Sequence, residues 1–335
     1  MYFNNKNSFC HGIMFHHFHD NAKHKKTQGS ITAKKFEEII NFIGPKNIIN
    51  PEEFQNIINK KKRIKNKVCF TFDDAIKCQF DLARPVMDKY NIKAFFFIYT
   101  SIFYGKPDLL EIYRYFRVNY YRNINDFYYS FFSEIKYDLK FYFKIYEKEI
   151  KEMKVKFPFY SILDIKFRII RDSYLKDSEY VRIMKKMMKK KGFNYKKFFN
   201  KIFLQKKDVK QLHEEGHKIG LHTHTHPTKL EDMNYQEQLK EYSDNLYNLN
   251  LIIGDPLNKI TTMSHPCGSY NLDSLFVLRK LNINLGFKQI MMIEKSKNMK
   301  KINNSNLEIA RIDHALILRE LKKSRKLKKI RKINK

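Results

Sequence analysis

An α/β fold on a parallel sheet, split by a helical insertion, is what three features of the sequence predict. Strand-like and helix-like segments alternate with short links between residues 32 and 100, and again from residue 208 onward. Such alternation implies parallel strands joined by right-handed crossovers. Between the two stretches, residues 104–204 are dense in Tyr, Phe and Lys, almost free of glycine, and read as helices. The 335 residues, 43% of them apolar, suffice for one large α/β domain or two ordinary ones. The expected organisation is a first part of the α/β domain over 1–103, the insertion over 104–204, the second part over 205–318, and a basic tail over 319–335.

Each element has its own signal. In TAKKFEEIINFIG (32–44), Phe36, Ile39, Ile40 and Ile43 follow helical spacing and Gly44 stands at the stop position. PEEFQNIINK (51–60) opens with a proline suited to a first helical position. KVCFTFDD (67–74) alternates Val68, Phe70 and Phe72, so it reads as a strand ending in two acids. QFDLARPVMDKY is a helix in which Pro85 fits a first turn better than an interior. KAFFFIYT (93–100) is a continuous apolar run, the mark of a fully buried strand. In the insertion, DFYYSFFSEIKYDLKFYFKIYEKEI and SEYVRIMKKMMKK carry aromatic and apolar residues at helical spacing, which signals packing. Beyond it come a helix DVKQLHEEG, a strand HKIGLH, a long amphipathic helix NYQEQLKEYSDNLYNLNLIIG, a strand and turn KITTMSHPCGSYN, a helix LDSLFVLRKL, and strands at INLGFK and LEIARID.

The formal charge of +31 points in general to nucleic acid or an anionic membrane. Here Lys, Asn and Ile recur in every segment, so background composition accounts for most of the excess, and no specific nucleic-acid partner is expected. The sharpest cluster is RELKKSRKLKKIRKINK, a solvated helix or frayed end that could also touch a phospholipid surface. Cys10, Cys69, Cys78 and Cys267 stand far apart with no C-x-x-C pair, which fits a reducing compartment. No apolar run reaches the ~18–20 residues needed to cross a bilayer, and the opening residues lack a signal-peptide core. The expectation is a cytoplasmic protein, with contact to the inner membrane face as an option.

Two features carry chemistry. Asp73 and Asp74 end an apolar strand, and GLHTHTHP puts His222, His224 and His226 just beyond another. Parallel α/β folds assemble their sites at such strand ends. Adjacent carboxylates there need a cation or a shared proton to offset their repulsion. An oxygen ligand with two imidazoles suits a borderline divalent ion such as zinc. On a strand all three histidines would face one side; on a turn entering a helix only His222 and His226 would converge.

TFDD followed by GHKIGLHTHTHP resembles the polysaccharide deacetylase, or NodB-like, family of metal-dependent carbohydrate N-deacetylases. SHPCGSYN (264–271) is similar to that family's P-Y-G-x-Y-N segment, and EIARIDH (308–314) to its late Arg/Asp-containing strand. The resemblance covers about half the chain and implies an irregular (β/α) barrel of NodB-like type with a large helical insertion. It further implies Asp74, His222 and His226 as metal ligands, Asp73 as general base, a backbone N–H near Pro266–Cys267 facing the oxyanion, and His314 as the nearest candidate acid. The reaction implied is hydrolysis of an acetamido group on a sugar. With no export signal, a nucleotide- or lipid-linked sugar of envelope polysaccharide or glycolipid synthesis is expected as substrate.

The sequence also departs from the family. Members often carry an arginine two positions before the proline, holding the base; here the position is Ser264, and Arg311 is the candidate substitute. Cys267 replaces the usual aromatic, and the absence of tryptophan rules out the family's late aspartate–tryptophan pair. In HGIMFHHFHD, alternation puts His17 and His19 on one side and His16 on the other, which makes His17 a candidate beside the site. Two rival readings remain: a phosphoesterase or amidohydrolase that uses His222 and His224, and a basic nucleic-acid-binding protein on a decayed enzyme fold. Oligomeric state is not encoded in any motif.

Overall fold

Seven short strands with almost wholly buried side chains need cover on both faces: curling the sheet lets the inner faces pack on one another, and helices cover the outside. The structure is a computed structural model that describes residues 2–4, 8–62, 64–156, 160–254, 259–289 and 305–333, with side chains described to residue 327 in the last stretch. In chain order it begins with β1 (His11–Phe15), α1 (Ala33–Ile43), α2 (Pro51–Asn59), β2 (Val68–Phe72), α3 (Arg84–Lys89) and β3 (Phe95–Ile98). Next are α4 (Leu109–Asn119), α5 (Ile124–Ser133), α6 (Leu139–Ile145), α7 (Glu147–Lys156), α8 (Ile162–Ile169), α9 (Asp177–Lys190) and the short α10 (Phe199–Ile202). The chain then forms α11 (Lys206–Glu214), β4 (Lys218–Leu221), α12 (Tyr235–Ile253), β5 (Thr262–Ser264), α13 (Leu272–Lys280), β6 (Leu285–Phe287), β7 (Arg311–Asp313) and α14 (His314–Ile333).

Every strand pair is parallel, in the order β6-β5-β4-β3-β2-β1-β7. The segment ending in β7 nearly closes the ring. Its first part pairs with β6 through Phe287 and Ile309, and its second part pairs with β1 in the register Gly12 to Arg311. The result is a nearly closed, seven-stranded parallel barrel wrapped in helices, the NodB-like (β/α) barrel.

The barrel interior changes character from one end to the other. Phe95, Phe97, Leu285, Phe287, Ile309 and Cys69 fill the lower part, and Phe54 and Ile57 of α2 pack beneath them. Phe97 leaves no room for a side chain opposite: a Cβ on Gly220 would lie 2.6 Å from its ring, so β4 needs glycine there. From Cys69 the strand period of two brings Thr71 and then Asp73 to the same face, and polarity rises toward the strand ends. The outer face of β1 and β2 carries Phe15, Phe70 and Phe72, which pack against Phe36 of α1.

The chain divides into two compact units: one of residues 1–24, 29–108 and 200–335, the other of 25–28 and 109–199. The second unit is helical and centred on Phe116, Phe127, Phe131 and Phe167, all fully buried. Buried Asp164 accepts from the Tyr128 hydroxyl at 2.6 Å and the Arg168 Nε at 3.2 Å, and also from Gln28. The long aromatic run read as helix is three helices. Asp138 caps α6 by accepting from the amides of Lys140 and Phe141, and Tyr146 ends α6 before Glu147 starts α7.

Candidate active site

The site forms where β1, β2, β4 and β5 end. Asp73 and Asp74 follow β2 directly, and the backbone turns sharply there, with Asp74 at φ 73° and Ala75 at φ 52°. Thr223 (63°), His226 (60°) and Cys267 (53°) are left-handed as well. Non-glycine residues pay roughly 1–3 kcal/mol each for such conformations, which persist only where surrounding structure enforces them. Half of the ten such residues among those described lie on these three loops, so strain gathers where the polar groups meet.

The two outer histidines of HTHTH turn inward. Nδ1–H of His222 donates to the Ser264 carbonyl at 2.8 Å, and Nδ1–H of His226 donates to Asp108 Oδ2 at 2.8 Å. A carbonyl can only accept, so the His222 proton is fixed on Nδ1; Asp108 favours the same arrangement in His226. In the neutral rings both Nε2 lone pairs then face Asp74 Oδ1, at 3.2 Å from His222 and 3.3 Å from His226. These three atoms lie within 4.8 Å of one another. A tetrahedral ion with bonds of about 2.1 Å spaces its ligands about 3.4 Å apart, so the donor set and its spacing fit a divalent ion. The outer partners, a carbonyl and a carboxylate, are those that orient metal-bound imidazoles. His224 turns the other way, its Nδ1 2.9 Å from the Thr100 hydroxyl.

Asp73 is held by Arg311. Nη1 donates to Oδ1 and Nη2 to Oδ2, both at 2.8 Å, with both side chains all but fully buried. Arg311 also donates to Thr71 Oγ1 at 3.2 Å and the Lys288 carbonyl at 3.2 Å. Burial by itself would raise the Asp73 pKa; the guanidinium outweighs it and holds the carboxyl below its usual range. Asp74 follows the same logic: burial opposes its charge, but His16, His222 and His226 together hold it well below the ordinary value. His226 is displaced the other way, with Asp108 and Asp74 overcoming burial to raise it well above 6.5.

Of the opening histidines, His16 brings its Nε2 to 3.9 Å from Asp73 and 3.7 Å from Asp74. His17 lies against His16, ring centroids 6.3 Å apart. The sequence alternation assigned the site to His17; β1 ends at Phe15, so the alternation does not extend to residues 16–19. His314 was expected to supply a proton, but its Nε2 lies 3.0 Å from the Gly29 carbonyl and its Nδ1 3.4 Å from that of Met14. Both nitrogens are thus directed at backbone acceptors. Pro266 opens the turn after β5. Gly268 and Ser269 spend their amides on the carbonyls of His265 and Pro266, leaving the Cys267 amide as the one those bonds do not use. The Cys267 surface is open, but the surrounding protein pushes its thiol up to about 11, so it is no ready nucleophile.

Asp108 gave no signal in the sequence, because its chain neighbours belong to no motif. A second cluster, Asp88, Glu215 and His217, also has closely spaced donors. There the Ala94 N–H donates to His217 Nδ1 at 3.1 Å, which places the ring proton on Nε2 and removes the lone pair an ion needs. Arg84, 2.6 Å from Glu215, already supplies the positive charge.

The chain's comparisons with known proteins agree with this fold. A family model described as polysaccharide deacetylase matches residues 172–286, a span that includes His222, His226 and the Pro266 turn. No curated protein matches in sequence. Among solved structures, the Streptococcus pyogenes deacetylase PplD in complex with acetate is 16% identical, with a TM-score of 0.53 over 92% of each chain. IcaB from Ammonifex degensii is 12% identical, with a TM-score of 0.51 over 92% of each chain. A de-N-acetylase from Aggregatibacter actinomycetemcomitans is 12% identical, with a TM-score of 0.50 over 91% of this chain and 94% of that one. At these identities the structures speak to the barrel fold, while the family model speaks to the sequence. Together they point to the class of hydrolases that act on N-acetyl groups of carbohydrates, through the fold of the whole chain and the sequence of residues 172–286. The match covers about a third of the chain, and there the sequence is similar to the polysaccharide deacetylase family. No helix among the described residues is long and apolar enough to cross a membrane.

Proposed function

We propose that the chain removes an acetyl group from an N-acetylated sugar, with Asp74, His222 and His226 holding a divalent ion and Asp73 as general base. The observation that carries this is the pairing of two environments side by side: three inward donors on one point, and a carboxylate kept charged by Arg311 at 2.8 Å. Zinc suits the two-nitrogen, one-oxygen donor set. When bound, the ion would polarise the acetamido carbonyl and acidify the attacking water.

Asp73 takes the proton from that water, and Arg311 fixes its two oxygens so that it stays an anion and does not rotate. The Cys267 amide faces developing charge on the carbonyl oxygen from the turn after β5. His16 replaces His314 as the donor of a proton to the leaving amine, because its Nε2 faces both carboxylates while His314 is committed to two carbonyls. Ser264, where relatives often have arginine, supports the site differently: its carbonyl orients His222 and its hydroxyl lies 3.4 Å from Asp73. His224 points to Thr100, which favours the His222–His226 pair over an HxH hydrolase.

The substrate we favour is a nucleotide- or lipid-linked sugar used in envelope polysaccharide or glycolipid synthesis, met in the cytoplasm or at the inner membrane face. The basic α14 provides charge for an anionic carrier or lipid surface. Acetate release from zinc-loaded protein, measured over a panel of N-acetylated sugar nucleotides, lipid-linked sugars and oligosaccharides, tests the reading, with Asp73→Asn as the control. Release that persists undiminished in that variant removes Asp73 from the mechanism, and no release from any substrate refutes the activity.

A further inference from the structure

The turn from His222 to His226 presents both inward imidazoles on a backbone with no ladder of its own. Thr223 and His226 are left-handed, and β4 has already ended at Leu221. Buried amides in such a turn must find acceptors elsewhere, so the partners of these N–H groups show what shapes the loop.

Two side chains of α12 receive them. Asn245 Oδ1 accepts from the His222 amide at 2.9 Å. Glu241 Oε2 accepts from the amides of His224 at 2.9 Å and Thr225 at 2.8 Å, while Oε1 accepts from the Thr225 hydroxyl at 2.7 Å. Glu241 and Asn245 are one helical turn apart and therefore share a face. Asn245 also donates through Nδ2 to the Ile98 carbonyl at 3.0 Å and to Thr100 Oγ1 at 3.1 Å, which ties the same loop to the end of β3. From the other side the His224 carbonyl accepts from the amides of Thr100 and Ser101. Both α12 side chains are buried, so water does not replace these bonds when one is removed.

We propose that Glu241 and Asn245 are positioning residues for metal binding: they set the separation of His222 and His226 and thereby the affinity for the ion. The inference rests on the reading of Asp74, His222 and His226 as ligands. Donor matching explains the residue types. Three donors converge on one side chain at 241, which suits an acceptor-only carboxylate; at 245 one amide N–H must be accepted and one carbonyl satisfied, which suits an asparagine.

The test is calorimetric titration of the full metal-free chain with Zn(II), alongside thermal melts and amide hydrogen exchange at residues 224 and 225. Glu241→Leu is expected to lower affinity by about 10–100-fold, the usual cost of losing a ligand's support, and to speed exchange of both amides. Glu241→Gln keeps an oxygen for the two amides and leaves the Thr225 hydroxyl free to reorient, so it should stay near the parent. Asn245→Asp sets a carboxylate oxygen against the Ile98 carbonyl and should lower affinity as well. Thr225→Val removes one donor with little change in volume and should lower affinity by about tenfold, the worth of one hydrogen bond to a charged group. It decides the matter if the leucine variant does not fold. A parent chain that binds no divalent ion refutes the ligand triad itself. A parent that binds, with Glu241→Leu and Thr225→Val binding as tightly and exchanging as slowly, overturns the positioning role alone.

Discussion

Replacing Arg311 by methionine removes the guanidinium but keeps most of the aliphatic stem that passes Gly12. Asp73 is then left as a buried carboxylate without its bidentate partner, its remaining described neighbours being Ser264 Oγ at 3.4 Å and His16 Nε2 at 3.9 Å. Breaking a buried pair from one side costs about 3–5 kcal/mol, against a typical total stability of about 5–15 kcal/mol. With a urea dependence of about 3 kcal/mol/M, the midpoint should fall by about 1–1.7 M at pH 8. The pH dependence has a definite sign. In the parent the folded pKa of Asp73 lies below its unfolded value, so its contribution is present above the unfolded pKa of about 3.9 and is lost as pH falls through the lower folded one. In the variant, unopposed burial raises the folded pKa, so the deficit should shrink as pH falls toward that value. Adding Asp73→Asn should recover much of the loss at pH 8, because no buried charge then remains. Urea titrations of metal-free protein from pH 5 to pH 8 measure all of this. Equal midpoints at pH 8, or a deficit that does not change with pH, would refute the assignment of Arg311 as the group that keeps Asp73 charged.

Three further outcomes are expected. His224→Ala should retain one bound zinc by metal analysis, whereas His222→Ala or His226→Ala should lose it, since of the three loop histidines those two direct Nε2 at Asp74 and His224 turns to Thr100. Asp108→Asn should weaken zinc binding by about 10–100-fold in a chelator competition, because the amide can no longer hold the His226 Nδ1 proton as a charged acceptor. Gly12→Ala puts a Cβ 2.9 Å from Arg311 Cγ and 3.2 Å from Phe287; overpacking of this kind costs about 1–3 kcal/mol, and acetate release should fall with it as the guanidinium is pushed off Asp73.

The elements were readable wherever period and punctuation agreed. Thr32 caps α1 and Gly44 ends it, Pro85 falls in the first turn of α3, and the FFFI run is a fully buried strand. The aromatic run after Asp126 was not readable as three helices, because hydrophobic spacing persists through the break and only Asp138 interrupts it. In the site, Asp73, Asp74, His222 and His226 were legible because their chemistry is local: paired acids after a strand, and imidazoles four apart on a turn. Their supports were not. Asp108, Glu241 and Asn245 act across the fold, and nothing in a linear chain marks which acid on an amphipathic helix points inward. The tail's basic character was equally plain, and its side chains from residue 328 onward lie outside the described residues.

The way the ring is closed has a consequence for how the molecule comes into being. The segment that seals the barrel, bonding to β6 and then to β1, is the one that delivers Arg311 to Asp73. Gly12 and Arg311 lie far apart in sequence, so the pairing that completes the sheet is also its most non-local one, the kind whose loop-closure entropy must be met before its contacts reward it. Until it forms, the carboxylate at the heart of the barrel has no counter-charge and cannot be buried as an anion without penalty. The strand that completes the barrel therefore also completes the charge balance of Asp73.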